Sequence, residues 1–319
     1  MNTEDRIYQE SLKVATLYYY HGLTTEAIAR EMKFSRPKVS RLLSHARATG
    51  MVEIKIVDIE KALSPLEKQI RERFHLAAVH VVPAPELMGE VVWLERVARF
   101  TANYLNSILT GGETLAIAWG TTVSEIASNL VPHRIENLRI VQLNGSGNTF
   151  TPDNRYAASI LQHFARNYQA NVMLFPVPSF FDYPETKEAM WRERSIRQII
   201  ELQEKAEVLL YSIGSVSAGV PSHVYSTGYL DPTDLEELER EKVIGDLATV
   251  FFREDGSWED IPLNHRASGP GLSLYRQAKR AICVVSGRNK VRGLRAALEA
   301  RFMTELIVDE PTARLLCRD

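Results

Sequence analysis

Residues 25–49 constrain the fold most strongly, because their apolar side chains repeat with the spacing of two short helices packed on each other. Intervals of three and four residues let both helices bury one shared face. The residues in this pattern are Ile28, Ala29, Met32, Phe34, Val39, Leu42 and Leu43. Ala29 lies ten residues before Val39, so a small residue on the first helix faces a β-branched residue on the second. The segment therefore predicts a helix-turn-helix.

The second helix of the pair has a recognisable start. Pro37 suits a first helical turn, where the N–H that proline lacks would be unpaired anyway, and Ser35 suits the N-cap before it. The helix is therefore expected to begin near Arg36. Lys33 stands in the turn, where glycine is common, and must accept an unusual backbone angle at a modest energetic cost.

Positive charge is concentrated on this helix pair. Residues 30–50 contain six Lys or Arg against one acid, Glu31, whereas the whole chain has a net charge of −2. A basic patch on a mildly acidic protein indicates a polyanion bound at one place. The residues that we expect to contact DNA are Thr25, Ser35, Arg36, Lys38, Ser40, Arg41 and His45. Protein contact through the same helices is the alternative.

The length of the chain implies a second domain. A DNA-binding domain takes about 60 residues, and the chain has 319. No apolar run approaches the roughly 18 residues that span a bilayer. The N-terminus lacks an apolar signal core, and the two cysteines, Cys283 and Cys317, make no disulfide framework. We therefore expect a soluble, cytoplasmic protein with no membrane partner.

Predicted strands and helices alternate from residue 77 onward, which is typical of a parallel sheet with crossover helices. The expected strands are 78–82, 114–118, 138–143, 171–175, 208–213, 247–252, 281–285 and 305–308. The expected helices between them include 91–109, 122–130, 156–168, 187–205 and 291–300. We thus divide the chain into a winged-type DNA-binding domain over 1–58, with a wing strand at 51–58, a linker helix within 59–76 that offers dimer contacts, and a single α/β domain over 77–319.

Four of the expected strands end in loops rich in Gly, Ser, Thr and Asn. Ligands of parallel sheets bind beyond the carboxyl ends of the strands, and small residues there let backbone N–H groups close on an oxyanion. The loops are 119–122, 144–148, 214–219 and 286–290. Lys290 opens a helix and offers a point charge to a phosphate. Together the loops predict a pocket for a small anionic molecule.

Enzymatic interpretations of these loops fail on spacing. Phe150 stands where a dinucleotide fingerprint that begins at Gly145 needs its third glycine. The run 215–219 lacks the first glycine of a nucleophile elbow. His and Cys positions are scattered without metal-ligand spacing, so we expect no metal and no other cofactor.

The chain resembles the SorC family of bacterial sugar-responsive transcriptional regulators over nearly all its length. The segments that carry the similarity are 23–56 in the first domain and GDLATVFFREDG (245–256), LNHR (263–266) and 284–317 in the second, in family order. The resemblance implies a doubly wound, mostly parallel, Rossmann-like effector domain related to sugar-phosphate isomerases and glucosamine-phosphate deaminases. It also implies a phosphorylated sugar as the ligand.

Matching family motifs imply ten effector-binding residues. Those expected to cradle phosphate are Gly120, Thr121, Thr122, Asn144, Gly145, Ser146 and Gly214. Those expected to meet sugar hydroxyls are Asp246 and Asn264, and Lys290 is expected to pair with the anion. Arg253 stands where the family often has an acid, which favours a more anionic ligand.

These observations predict a homo-oligomeric, tetrameric transcriptional regulator, with repression as the expected mode, whose affinity for operator DNA depends on a phosphorylated sugar. A dimer would place two recognition helices on half-sites about one helical turn, or multiples of it, apart. The alternative is an active sugar-phosphate isomerase or deaminase with an accessory DNA-binding domain. Such an enzyme needs a positioned acid and base, and Asp246 is available while no histidine is marked as its partner. The sequence leaves open which sugar binds and whether it releases or promotes DNA binding.

Overall fold

The computed structural model of the chain describes residues 3–19, 21–52, 63–147, 156–215, 222–226 and 228–318. The chain divides into two compact units, Met1–Ala62 and Leu63–Asp319, called here the first and the second unit. No helix among the described residues is both long and apolar enough to cross a bilayer.

Three helices are described in the first unit: α1 (Thr3–Tyr19), α2 (Thr25–Glu31) and α3 (Arg36–Ala48). They share one small apolar core because the residues spaced at three and four turn inward on each helix. The buried members of this core are Val14, Ala15, Ile28, Ala29, Val39, Leu42, Leu43 and Ala46. The predicted helix-turn-helix is confirmed, and α1 packs against both of its helices through Val14 and Ala15.

The caps of α2 and α3 follow from local chemistry. Thr24 accepts a hydrogen bond from the N–H of Ala27 at 3.2 Å, and Ser35 accepts one from the N–H of Lys38 at 3.4 Å. Helix α3 begins at Arg36, as predicted. Lys33 has a φ of 54°, so the turn does use the left-handed backbone that its position requires. The predicted wing lies almost entirely outside the described residues, which stop at 52 and resume at 63.

Ten strands are described in the second unit: β1 (Ala78–Val82), β2 (Thr114–Ile117), β3 (Arg139–Gln142), β4 (Asn171–Met173), β5 (Val208–Tyr211), β6 (Ile213–Gly214), β7 (Gly245–Leu247), β8 (Val250–Phe252), β9 (Arg280–Val285) and β10 (Glu305–Asp309). Seven of them form a parallel sheet in the order β1-β10-β9-β5-β2-β3-β4. Strands β6, β7 and β8 form a separate antiparallel sheet. The predicted parallel α/β architecture is confirmed.

The α-helices of the second unit are α4 (Pro65–Phe74), α5 (Gly89–Ile108), α6 (Thr121–Ser128), α7 (Tyr156–Tyr168), α8 (Pro184–Trp191), α9 (Arg194–Glu204), α10 (His223–Ser226), α11 (Pro232–Arg240), α12 (Pro262–Arg266), α13 (Ser273–Gln277), α14 (Val291–Glu299) and α15 (Glu310–Leu316). They supply side chains to two cores on opposite faces of the parallel sheet. Along β2, for example, Ala116 belongs to one core while Leu115 and Ile117 belong to the other. The sheet is therefore covered on both faces, as in doubly wound folds.

Helix α4, expected as a linker, packs onto the second unit. Its Ile70 and Phe74 are buried in the same core as Val79 of β1. Glu67 forms a capping box with Ser64 and also accepts a 2.9 Å hydrogen bond from the N–H of Val81. The helix is thus attached to the edge of the sheet by both apolar contact and a hydrogen bond. The first residues of the expected linker, 59–62, lie outside the described ranges.

Three expected elements are divided in the structure. The expected strand 208–213 breaks at Ser212 into β5 and β6, and the expected strand 247–252 covers the hairpin of β7 and β8. Ala248 and Thr249 have φ values of 46° and 71°, which is the two-residue turn that reverses a hairpin. The expected helix 187–205 is two helices, α8 and α9, because Glu193 adopts extended backbone angles between them.

Candidate functional site

Strands β2 and β5 lie side by side in the parallel sheet, and the sheet continues through β3 on one side and β9 on the other. The strand order reverses between β2 and β5, and open α/β sheets bind ligands at such a switch point. A cavity of about 40 Å³ lies here, lined by Trp119 after β2 and Ser212 after β5. We call it the switch-point cavity. The expected effector residues that line it are Gly120, Thr121, Thr122, Asn144, Gly214, Asp246 and Lys290.

The turn between β2 and α6 forms one wall. Gly120 precedes α6 with a φ of 149°, a conformation that side chains disfavour, and no side chain caps the helix. The hydroxyl of Ser212 donates a 3.2 Å hydrogen bond to Thr122, which links this wall to the end of β5. A helix start without a side-chain cap is suited to an anion, because its first N–H groups lack intrahelical partners.

Asp246 is the buried acid of the cavity, with 3% of its surface exposed. One carboxylate oxygen accepts a hydrogen bond from the hydroxyl of Tyr225 at 3.0 Å, and the other accepts one from the N–H of Thr249 at 3.1 Å. Burial raises the pKa of Asp246 to about 6, against the opposing effects of these hydrogen bonds and of the charge on Lys290. The carboxyl group therefore titrates close to neutral pH.

The carboxyl group of Asp246 leaves no room for a side chain at Gly214. Gly214 pairs with Asp246 between β6 and β7, and a Cβ atom at position 214 would lie 1.9 Å from Oδ1 of Asp246. Any larger residue would have to displace the carboxyl group or the strand.

Lys290 is the only lysine or arginine among the described residues that line the cavity, and 8% of its surface is exposed. Burial lowers its pKa, while the nearby carboxyl groups of Asp246, Glu90 and Asp309 act in the opposite direction. A buried ammonium group in a cavity needs an anionic partner. Lys290 is therefore placed to attract one.

Two polar atoms in the cavity wall have no hydrogen-bond partner among the described residues. They are Oδ1 of Asn144, a residue 1% exposed, and Oγ of Ser286. Buried polar groups are nearly always paired in native proteins. An unpaired acceptor and an unpaired hydroxyl in one cavity are groups that a polar ligand can satisfy.

Some wall residues were missed by the sequence interpretation. Ser212, His223 and Ser286 line the cavity, and Tyr225 bonds its acid. His223 stacks on Tyr156 with ring centroids 4.0 Å apart, and burial lowers its pKa. Ser212 and Ser286 each had a local signal, since each directly follows a buried strand. His223 and Tyr225 lie on the short helix α10, which follows the loop 214–219, and nothing in the local sequence singled them out.

Gly145 and Ser146 lie away from the cavity. A Cβ atom on Gly145 would be 2.4 Å from the carbonyl oxygen of Pro178, so this glycine allows two backbone segments to approach. Its N–H donates to Ser268 at 2.9 Å. Ser146 accepts a hydrogen bond from the side chain of Gln142 at 3.2 Å. Part of their loop, residue 148, and Phe150 lie outside the described ranges, as do residues 216–219 of the loop after β6.

Asn264 is engaged in holding the hairpin. Its amide accepts from the N–H of Phe251 at 2.8 Å and donates to the carbonyl groups of Phe251 and Trp258 at 2.9 and 2.7 Å. The amide oxygen and amide N–H groups of Asn264 are thus already hydrogen-bonded, and Asn264 does not line the switch-point cavity. We therefore do not retain it as an effector contact.

Arg253 does not reach the cavity either. Its guanidinium pairs with Glu241 and Asp260 on the surface of the second unit. We therefore do not include Arg253 among the proposed ligand contacts, because its charge is already balanced by two acids.

A larger groove of about 1010 Å³ lies among α8, α9 and α12. Its lysine, Lys187, already donates to the carbonyl oxygen of Asn264 at 3.2 Å. None of the described residues that line the groove belongs to the loops after β2, β5 or β9. We favour the smaller cavity as the ligand site because it combines the switch point, a buried cation and two unpaired polar atoms.

The candidate DNA surface lies on the first unit. Ser35, Ser40 and Arg41 on or before α3 are exposed, and Arg41 has no ion pair among the described residues. Thr25 is the half-buried first residue of α2. Arg36 is exposed but forms an ion pair with Glu26. These positions leave Arg41 as the expected contact with the most accessible charge.

Lys38 and His45 are half-buried and contact α1. The ammonium group of Lys38 lies 2.8 Å from the carboxylate of Glu10 on α1 and 3.6 Å from the ring centroid of Phe34. The Nδ1 atom of His45 lies 3.0 Å from the hydroxyl of buried Ser11. Both side chains therefore attach α3 to α1, and we do not retain His45 as a DNA contact.

Comparison with known proteins supplies independent findings. The family model described as "Putative sugar-binding domain" matches residues 59–318. The chain is 31% identical to the deoxyribonucleoside regulator of Bacillus subtilis over 98% of each chain, and 26% identical to the sorbitol operon regulator of Klebsiella pneumoniae over 96% of this chain and 97% of that one.

Solved structures agree in fold. The full-length sorbitol operon regulator SorC from Klebsiella pneumoniae superposes with a TM-score of 0.80 at 24% identity, covering 97% of this chain and 98% of that one. "A domain of a possible sugar-binding transcriptional regulator" from Arthrobacter aurescens TC1 superposes with a TM-score of 0.74 at 42% identity, covering 82% of this chain and 99% of that one.

Proposed function

Because the chain belongs to the sugar-binding domain family of SorC-type transcriptional regulators, we propose that it binds operator DNA through its first unit and a phosphorylated sugar in the switch-point cavity. Membership confirms the resemblance found in the sequence and the class of protein that it implied, a transcriptional regulator rather than an enzyme. We further propose that the ligand sets the affinity for DNA, and that the protein acts in the cytoplasm as a homo-oligomer, a dimer or a tetramer.

One observation supports this ligand class above all: the buried cation Lys290 shares its cavity with an amide oxygen that has no hydrogen-bond donor among the described residues. The carbonyl oxygen of Asn144 is unpaired, and the carboxyl group of Asp246 is buried beside it in the lining. An ammonium group and an uncapped helix start suit a phosphate, whereas amide and carboxylate oxygens suit hydroxyl groups. A molecule that carries both kinds of group is a sugar phosphate.

The cavity is small for a sugar phosphate, because its volume of about 40 Å³ lies well below the roughly 300–1,000 Å³ of typical ligand pockets. We therefore expect its wall to change when a ligand enters. Helix α10 is the wall element that we expect to move, because it has four residues and carries His223 and Tyr225. A ligand that favours the opened wall then shifts the protein toward one conformation, as an effector must.

For the DNA contact we propose Arg41 as the principal donor on α3, with Ser35, Ser40 and Thr25 beside it. Arg36 joins them if its guanidinium exchanges Glu26 for a phosphate or a base edge. A dimer would present two such helices to half-sites about one helical turn, or multiples of it, apart.

The proposal is tested with DNA selected from a random pool and a panel of pentose and hexose phosphates. Binding of labelled DNA is measured by fluorescence anisotropy, and ligand binding by thermal shift, where a ligand at 100 times its Kd adds roughly 2.7 kcal/mol. We expect Lys290→Gln to retain DNA affinity and lose the response to ligand. The matched control is Lys187→Gln, a half-buried lysine in the larger groove, which we expect to respond like the wild type.

Two results would contradict the proposal. If no sugar phosphate changed either the thermal stability or the DNA affinity of the wild type, the ligand class would be wrong. If Lys187→Gln rather than Lys290→Gln lost the response, the ligand site would be the larger groove.

A further inference from the structure

Two turns that each precede a helix meet at the switch-point cavity, and only one of them already bonds to acids. In the turn 286–290, the N–H of Gly287 donates to Oδ2 of Asp309 at 3.0 Å and the N–H of Arg288 donates to Oε1 of Glu90 at 2.9 Å. The hydroxyl of Thr312 also accepts from Gly287, at 3.1 Å. Two successive amides of this turn, those of Gly287 and Arg288, are therefore bonded to carboxylates.

No acidic side chain among the described residues caps α6, the helix that follows the other turn. No side chain caps that helix, and the unpaired hydroxyl of Ser286 and the unpaired amide oxygen of Asn144 lie in the same cavity. An anion can bond to the N–H groups of this turn without displacing an acidic side chain. Among the described residues, the turn before α6 is therefore the place that favours a phosphate, and the turn 286–290 is not.

The acidic residues around Lys290 also disfavour a second phosphate. Glu90, Asp246 and Asp309 all act electrostatically on its ammonium group. A Cβ atom on Gly287 would lie 3.0 Å from Oε2 of Glu90, so this carboxylate closes directly over the turn. A second phosphate at the turn would meet two carboxylates of like charge, and like charges in contact are strongly unfavourable at a binding site.

Contacts at the start of α5 hold Glu90 in place. It lies in the first turn of α5, one turn after Glu86, whose carboxylate pairs with the side chain of Arg288 at 2.9 Å. The guanidinium of Arg288 also lies 5.2 Å from the ring centroid of Trp93. These contacts fix the start of α5 against the turn, so Glu90 remains over its amides.

We propose that the effector carries a single phosphate group and that Glu90 determines this specificity by excluding a second one. The inference rests on the proposed function, since Glu90 covers the turn whose Ser286 and Lys290 line the switch-point cavity. Glu90 provides both a hydrogen-bond acceptor for Arg288 and a negative charge, and only the charge distinguishes a monophosphate from a bisphosphate.

Calorimetry of matched ligands tests the inference. The probes are fructose 6-phosphate with fructose 1,6-bisphosphate and ribose 5-phosphate with ribose 1,5-bisphosphate, on the full chain. We expect the wild type to bind a monophosphate at least about tenfold more tightly than the bisphosphate of the same sugar, which corresponds to about 1.4 kcal/mol.

Glu90→Gln is the informative variant because its amide oxygen can still accept from the N–H of Arg288 while the charge is lost. We expect it to raise the affinity for the bisphosphate by about tenfold and the affinity for the monophosphate by much less. Retained monophosphate binding also shows that the variant is folded. The control is Glu95→Gln, which removes a charge from an exposed position of the same helix where it pairs with Arg99, and we expect its preference to equal that of the wild type.

The outcomes separate the two proposals. Tighter binding of a bisphosphate by the wild type, or an unchanged preference in Glu90→Gln, overturns the role of Glu90 while the proposed function stands. Binding of none of the four sugar phosphates contradicts the proposed function, together with the inference that depends on it.

Discussion

The hydroxyl of Tyr225 donates a 3.0 Å hydrogen bond to the buried carboxyl group of Asp246, in the same cavity as the ammonium group of Lys290. The bond favours the carboxylate form, yet burial outweighs it and raises the pKa of Asp246 to about 6. The ligand site therefore contains a carboxyl group that changes charge near neutral pH. Substitutions that remove the carboxyl group or the tyrosine hydroxyl test this separately.

Removal of the Asp246 carboxyl group should change how stability depends on pH. The folded-state pKa of about 6 exceeds the ordinary value of 3.8, so the folded protein binds more protons than the unfolded chain between these pH values. Stability contributed by Asp246 is therefore present at pH 4 and falls as the pH rises through 6, by about 3 kcal/mol in total. Urea unfolding of the wild type and Asp246→Asn at pH 4, 5, 6 and 7 measures this difference. Parallel pH profiles for the two proteins would contradict the prediction.

Tyr225→Phe should raise the pKa of Asp246 further. The variant removes a donor that stabilises the carboxylate, and a hydrogen bond to a charged group contributes about 1.5–3 kcal/mol, or at least about one pKa unit. The carbon-13 chemical shift of the Asp246 carboxyl group, followed by NMR through a pH titration, measures it. Tyr168→Phe is the control, since the Tyr168 hydroxyl is buried without a partner among the described residues. A pKa that stays near 6 in Tyr225→Phe would show that the bond is unimportant.

Gly214→Ala should destabilise the second unit and disrupt the ligand site, because the new Cβ atom would lie 1.9 Å from Oδ1 of Asp246. We expect a loss of about 1–3 kcal/mol in the free energy of unfolding. The control is Gly293→Ala in α14, where the nearest side-chain atom is 3.4 Å away and alanine favours the helix. Combination of Gly214→Ala with Asp246→Ser should recover part of the loss, and strictly additive effects would mean that the two residues do not interact.

Substitution of Arg41 should affect DNA binding, whereas substitution of Lys38 should affect the stability of the first unit. Arg41→Ala is expected to weaken DNA binding by about 1–3 kcal/mol if it contacts a base, or to lower the salt dependence by about one charge if it contacts phosphate only. Lys38→Met should mainly destabilise the first unit, because its ammonium group is paired with Glu10. Salt-titrated anisotropy and thermal unfolding separate the two effects. Glu10→Gln is the matched variant, and it should reproduce the stability loss of Lys38→Met if the pair is the cause.

Much of the first unit could be predicted because its signals are local. The Ser35 cap, the start of α3 at Arg36 and the positive φ of Lys33 each depend on a few neighbouring residues. The pairing of Lys38 and His45 with α1 could not be predicted. Positive charge and helical spacing look alike on a face that meets DNA and on one that meets another helix.

The ligand site shows the same division between local and distant information. Gly120 and Gly145 both follow buried strands in loops of small residues, so they carry the same local signal. One precedes a helix at the cavity, and the other lies against the backbone of Pro178. Likewise, Asn264 belongs to a family motif, but its side-chain amide forms hydrogen bonds with Phe251 of the hairpin.

The sequence by itself determined the helix-turn-helix, the parallel α/β architecture and the strand ends where a small anion would bind, because periodicity, caps and turn residues act over a few positions. Only the tertiary structure decided which polar groups share one cavity. It brings Tyr225 to Asp246 and places Glu90 over the turn before Lys290, from parts of the chain that are far apart. The charge and hydrogen-bond capacity of these residues depend on burial and on their neighbours in space, which the order of residues alone does not reveal.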